Sequence, residues 1–324
     1  MNKLVSIMTS LSPLILVIFV HLNNVEANVW TVDCDVLTTQ RMDPIVHPGE
    51  EPAGHVHAIV GASQFNESAV YEDLQKSKCT TCNVAKDKSN YWVPQLYIHK
   101  KSDGKFYYVP MEFHVYYKLI NHRGQTDFVH NPLKPGEIEA FPPGYSLRAG
   151  SALNTHEDKN VNHKCLGPNT NTRGFPPKPE NCWAIRSEVT FPRCWNGKNH
   201  GINFAEHMAY PDSGWKAGHC PDSHKRQLPT LFFEAIYKIK HIYTPGDELV
   251  YSFNDTKGYG FHGDFLMGWE ENRIEEMLDY CINNRDGMAK QCGNHKHRPK
   301  HCDWEGSLNS EKYRGVLDKL PEYN

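Results

Sequence analysis

Ten cysteines constrain this chain more than any other feature: Cys34, Cys79, Cys82, Cys165, Cys182, Cys194, Cys220, Cys281, Cys292 and Cys302 all lie after residue 27, and their number is even. Disulfides on that scale belong to an oxidising compartment and predict a covalently braced fold, although spacing alone does not give the pairing. The start of the chain supplies a route to such a compartment. Lys3 precedes an apolar stretch over 14–20, polar residues fill 21–24, and Val25-Glu26-Ala27 ends in a small residue. That order predicts a signal peptide over 1–27. A membrane anchor needs about 20 predominantly apolar residues, whereas Ser10, Ser12 and Pro13 interrupt this stretch. The expectation is a secreted, extracellular protein with no membrane span. Asn66-Glu67-Ser68 and Asn254-Asp255-Thr256 are N-glycosylation acceptors that fit the same route.

What remains after residue 27 is long enough to bury a substantial core. A formal net charge of −3, with both signs scattered, gives no electrostatic reason to expect a nucleic-acid partner. Alternating or aromatic-rich runs predict strands over 30–36, 55–60, 91–99, 106–119, 182–191, 231–242 and 249–253. Stretches rich in Pro, Gly and Asn, above all 131–144 and 167–181, predict long loops. One helix is expected, where Ile274, Met277, Leu278 and Cys281 recur at helical spacing opposite Glu271, Glu275, Glu276 and Asp279. Strands without interleaved helices predict a mainly β fold, an antiparallel sandwich or barrel-like body with long loops and a helix near the C-terminus. The expected organisation is a single β-rich domain over 28–285 and a polar His/Cys-containing tail over 286–324.

Nineteen histidines are unusual, and their spacing is more informative than their number. His55 and His57 stand two apart, so on a strand both project from one face. His262 and Asp264 repeat that spacing in a glycine-flanked segment expected to be a loop, and His207 follows another glycine- and asparagine-rich region. Histidines with a carboxylate can hold a divalent metal such as zinc, copper or iron. The expected ligands are His55, His57, His207 and His262; the expected catalytic groups are His55, His57, His262, Asp264 and Asp43. The competing expectation is that such histidines only brace loops against backbone carbonyls. Trp92, Trp195, Tyr210 and Trp269 lie in the same polar surroundings, where exposed rings would stack on sugars and buried ones would only pack.

Gly258-Tyr-Gly260-Phe-His-Gly263 matches a dinucleotide fingerprint but lacks the βαβ unit and second parallel strand that give it meaning. Cys79-Thr-Thr-Cys82 is expected to serve in structural disulfides rather than redox chemistry, and a local Cys292–Cys302 bridge would account for the tail. No Gly-x-Ser-x-Gly elbow, His-Glu-x-x-His or phosphate-binding loop occurs, which excludes common esterases, zincin proteases and nucleotide-driven enzymes.

Several of these motifs occur in a fixed order: Arg41-Met-Asp43-Pro, His55-Val-His57-Ala-Ile-Val-Gly61, Cys79-Thr-Thr-Cys82, Ser89-Asn-Tyr91-Trp92, Cys194-Trp195, His207-Met-Ala-Tyr210 and His262-Gly-Asp264-Phe. Over about Asp33 to Cys281 this set resembles a secreted family known only as a domain of unknown function. That family is frequent in filamentous fungi and sometimes joined to WSC or cellulose-binding modules. The resemblance implies an extracellular, carbohydrate-associated role with a polysaccharide or cell-wall glycan as partner. Asn196 and Asn203-Phe204 stand where the family more often shows acidic or histidine residues. The expected function is cleavage of polysaccharide through a His/Asp pocket of metal-ligating residue types; the alternative is a secreted wall-binding protein or effector without catalysis.

Overall fold

Residues 28–120, 136–198, 204–213, 218–283, 301–309 and 311–322 are described in a computed structural model. The fold is mainly β, with antiparallel sheets arranged as a sandwich and no closed barrel. The expected signal peptide lies outside the described residues, and no described helix is long and apolar enough to cross a membrane.

A six-stranded sheet runs Asn28–Cys34, Met111–Leu119, Thr230–Tyr237, Ala184–Thr190, Val161–Leu166 and Thr170–Thr172. A five-stranded sheet runs Val36–Gln40, His57–Gly61, Asn90–Pro94, His262–Leu266 and Ser146–Gly150. The strand Met111–Leu119 alternates strictly between buried and half-buried positions. Its inward residues Phe113, Val115 and Tyr117 meet Ala58, Val60, Tyr91, Val93 and Phe265 of the other sheet in one core. Shared burial of these faces holds the two layers together.

The five-stranded sheet is covered on its second face as well. Ile59, Trp92 and Leu266 pack there against Met42, Ile45, Phe65 and Leu74 from the 41–75 segment. Its three middle strands are consequently buried at every position. This explains the main error of the periodicity reading: His262–Leu266 is a central strand, not a loop, because a strand covered on both faces shows no alternation. Gly263 permits the close approach, since a Cβ there would lie 2.8 Å from Phe233 and 2.9 Å from Val189 of the opposing sheet. Ser146–Gly150 and Val161–Leu166 are likewise strands that the pattern did not predict.

Two predicted runs divide. The 91–99 run changes sheets at Gln95, and the 106–119 run breaks at Pro110, which has no N–H to donate. The helix forms at Arg273–Asn283 and buries Ile274, Met277, Leu278 and Cys281, as its spacing predicts.

Disulfides join Cys34 to Cys82, Cys79 to Cys302, Cys165 to Cys182 and Cys194 to Cys220. The Cys79 and Cys82 thiols thus serve two separate bridges, and the local Cys292–Cys302 bridge does not form because Cys302 is bound to Cys79. Cys281 is also disulfide-bonded; Cys292 lies outside the described residues. The described part of the C-terminal tail packs on the body. Trp304 donates to the Phe65 carbonyl at 2.8 Å, Glu305 accepts from Ser63, and Val316–Leu317 pairs with Phe106–Tyr107.

Candidate metal centre

His55-Val-His57 enters the first face-covered strand of the five-stranded sheet, and two contacts fix its path. The Val56 carbonyl accepts from the Gln95 amide at 3.0 Å and the Ser252 hydroxyl at 2.7 Å. Upstream, the Arg41 guanidinium donates to the carbonyls of Ala53 and Gly54 at 2.6 and 2.9 Å. His55 and His57 therefore project together, with ring centroids 4.2 Å apart. Two strands away, His262 and Asp264 share one face because Gly263 turns to the other. Asp43 arrives from the covering segment, where its Oδ1 accepts the amides of Ile45 and Val46 at 3.1 and 3.0 Å.

These five side chains converge. His55 Nε2 lies 3.1 Å, and His57 Nε2 3.4 Å, from His262 Nε2. Asp264 Oδ2 is 4.0 Å from the same nitrogen. Ligand atoms of His55, His57 and His262 all lie within 4.8 Å of one another, and so do those of Asp43, His57 and Asp264. The relative exposures are 0% for Asp264, 1% for His57, 2% for His262, 3% for Asp43 and 5% for His55, so His55 marks the outermost edge of a nearly sealed cluster. Phe253 packs over that edge, its ring centroid 4.9 Å from that of His55.

The tautomers follow from the carbonyls. His57 Nδ1 is 3.1 Å from the Met42 oxygen and His262 Nδ1 is 2.8 Å from the Gly260 oxygen. A carbonyl only accepts, so each Nδ1 carries the hydrogen and each neutral ring presents a bare Nε2 lone pair. Burial, ahead of all other causes, depresses the basicity of these imidazoles: His262 falls to about 3, and His55 and His57 fall well below the usual histidine value. Two lone pairs thus face each other at 3.4 Å with no proton between them. A cation removes that repulsion. Tetrahedral coordination with metal–nitrogen distances of about 2.0–2.1 Å separates neighbouring ligand atoms by about 3.3 Å, which matches the spacing here. Histidine ligands also typically donate their other ring N–H to a carbonyl, as both rings do.

The carboxylates lead to the same chemistry. Neither Asp264 oxygen has a hydrogen-bond partner among the described residues. Burial, then the nearby Asp43 charge, pushes the Asp264 carboxyl well above its ordinary value, and Arg148, its cross-strand neighbour, only partly opposes this. Burial also raises Asp43, against the pull of the Val46 and Ile45 amides. An ionised carboxylate without partners is strongly disfavoured in such a place, and a bound cation would restore its balance.

The remaining expected residues lie elsewhere. His207 is not a fourth ligand: its Nε2 sits 3.2 Å from the Ser146 carbonyl, and Ser146 lies four residues along its strand from Gly150, the partner of His262. Four strand residues span roughly 13 Å. Trp92, Trp195 and Trp269 are buried and offer no open stacking face. Trp269 Nε1 donates to the Tyr117 hydroxyl, the Trp195 ring packs under the Arg226 guanidinium, and the half-buried Tyr210 hydroxyl donates to the Thr190 carbonyl. Asn196 donates to the Glu206 carbonyl, away from the cluster; Asn203 lies outside the described residues. Of the sequons, Asn66 is half-buried and Asn254 exposed. Sequence reasoning missed Arg41 and Arg148. An arginine two positions before Asp43 was a visible signal for the first, whereas the second emerges only from strand pairing.

Fold and site together define a disulfide-braced antiparallel β protein with a three-histidine, two-aspartate cluster buried on the outer face of one sheet. By sequence, the chain belongs to the family described as a domain of unknown function, DUF1996, whose pattern matches residues 43–269, from the first aspartate of the cluster through the strand that carries His262 and Asp264. Comparison with curated proteins and with solved structures gives no match.

Proposed function

We propose that this chain is a secreted metalloprotein in which His55, His57 and His262 hold one divalent cation, with Asp264 and Asp43 completing its coordination, and that the centre serves cleavage of extracellular polysaccharide. The observation that carries the metal is the convergence of three Nε2 atoms, two of them held as lone pairs by backbone carbonyls. Zinc, copper and iron all accept such a nitrogen-rich set. Secretion is supported by the disulfides, four of which have both cysteines among the described residues.

A cation held there would supply Lewis acidity and an acidified water. The chain's own part is orientation and proton handling. The Met42 and Gly260 carbonyls fix the two rings, and Asp43 is pinned by two amides. Asp264, whose oxygens have no hydrogen-bond partner among the described residues, is suited to hold the cation through one oxygen and to take a proton from a nucleophile with the other. The near-complete burial favours a second reading in which the cation is structural and the protein binds glycan without turnover.

Metal analysis of the secreted protein, a melting scan of stripped against reloaded samples, and product release from fungal, plant and animal glycans test these ideas together. One bound cation lost in a His55→Ala/His57→Ala variant is expected. Failure of every metal to bind or to shift the melting point would refute the centre, and a bound metal without products from any glycan would leave the binding role.

A further inference from the structure

The aromatic residues that reach solvent beside a cavity are not the buried tryptophans of the sequence motifs. A cleft of about 510 Å³ is lined by Phe175, Pro176, Pro177, Tyr243, Lys257 and Tyr259, among others. All three rings are half-buried, so each combines an anchored edge with an exposed portion. The wall is rigid. Prolines fix the 176–179 backbone, and Gly174 lies so close that a Cβ would fall 2.8 Å from the Tyr259 ring and 2.4 Å from the Lys257 carbonyl. The Phe175 amide donates to that same carbonyl at 2.8 Å. Glu157, Asp247 and Glu248 share the lining with Arg173 and Lys257, and because Asp247 is ion-paired with Lys100 at 2.8 Å the lining favours neither sign of charge.

Half-exposed rings within a fixed, charge-balanced, hydrogen-bonding rim suit a ligand with apolar C–H faces and many hydroxyls. A turn links this cleft to the histidines. Asp255 accepts the amides of Lys257, Gly258 and Gly260 at 2.8, 2.9 and 2.8 Å, and the Gly260 carbonyl in turn receives the His262 Nδ1–H. We infer that this cleft, with Tyr259 as its principal stacking ring, is the binding subsite for a neutral oligosaccharide segment. The inference deepens the proposed function by giving the sugar a subsite on the turn that leads to His262, but it stands on the cleft's own geometry.

The test uses secreted protein carrying Asn254→Asp, which removes the sequon at the rim so that the chain's own glycan cannot occupy the cleft. Isothermal titration with cellohexaose, xylohexaose, chitohexaose and laminarihexaose is expected to show binding by at least one. Tyr259→Ala should weaken that binding about tenfold, roughly the worth of one aromatic contact, while Tyr259→Trp should retain it. Amide hydrogen exchange on the Asn254→Asp protein without further substitution should show protection by the sugar over 172–179 and 256–260, which keeps the test sound if Tyr259→Ala folds poorly. No binding by any of the four sugars, or protection confined to other segments, would overturn the subsite. Metal content measured on the same samples separates the two ideas. Bound metal without sugar binding refutes the cleft alone, and sugar binding without metal refutes the centre alone.

Discussion

Replacing Asp264 by asparagine keeps the shape of the side chain and removes only its capacity to ionise, which makes the two roles of that carboxylate separable. Asp264 is fully buried, has no hydrogen-bond partner among the described residues, and holds its proton more tightly than an ordinary aspartate. A carboxyl whose folded value lies above its unfolded value binds more protons when folded. Its penalty is absent below the unfolded value and grows as pH rises toward and through the folded one. Metal-stripped wild type should therefore lose stability relative to Asp264→Asn as pH increases from 5 to 8. Each pH unit between the unfolded and the folded value adds about 1.4 kcal/mol to that penalty, and a chain of this size shifts its melting point by about 2 °C per kcal/mol. The gap in favour of the stripped variant should thus widen by about 3 °C for each pH unit of that range and narrow toward pH 5. Metal reverses the order. At one hundred times its dissociation constant a ligand stabilises the fold by about 2.7 kcal/mol, and the variant should lose most of that gain. Differential scanning calorimetry of stripped and reloaded samples measures both effects. A variant that melts below stripped wild type at every pH, or gains as much from metal as wild type does, would refute the account of Asp264 as a ligand kept uncompensated for a cation.

The pH dependence of metal affinity gives a second check: because burial lowers His262 to about 3 and holds His55 and His57 well below the usual value, imidazole protonation should not weaken binding between pH 7 and 5, and the remaining slope in a competitive chelator titration should lessen in Asp264→Asn to the part due to Asp43. Gly263→Ala drives a methyl group against Phe233, Val189 and Phe191, so urea unfolding should show a loss of about 1–3 kcal/mol, as overpacking does. Cys79→Ser should cost about 2–5 kcal/mol, and limited proteolysis should then release the 301–322 segment that this bridge staples to the body. Arg41→Leu strands the Ala53 and Gly54 carbonyls just before His55, so metal affinity should fall by about 10–100-fold, as loss of a supporting hydrogen bond does at metal sites; unchanged affinity by titration would contradict the positioning role.

Much of the sandwich was legible because its outer strands keep one face in the core. Met111–Leu119 alternates so regularly that periodicity alone finds it, and the 273–283 helix is equally plain from its apolar stripe. The pairs His55/His57 and His262/Asp264 were visible too, since a spacing of two has a fixed meaning in extended chain. Other features were written only in three dimensions. His262–Leu266 hides its strand character because both its faces are covered, and the His207 ring is engaged by a carbonyl on a strand that periodicity did not reveal. Cys79 chooses a partner 223 positions away rather than its neighbour Cys82, a choice made by which strands lie side by side. The sequence by itself determined local geometry and the supply of thiols, imidazoles and carboxylates, because dihedral preference, side-chain period and donor chemistry are properties of neighbouring residues. Tertiary structure alone decided that residues 43, 55, 57, 262 and 264 meet, because sheet order and face burial arise from packing the whole chain and no short stretch of it contains them.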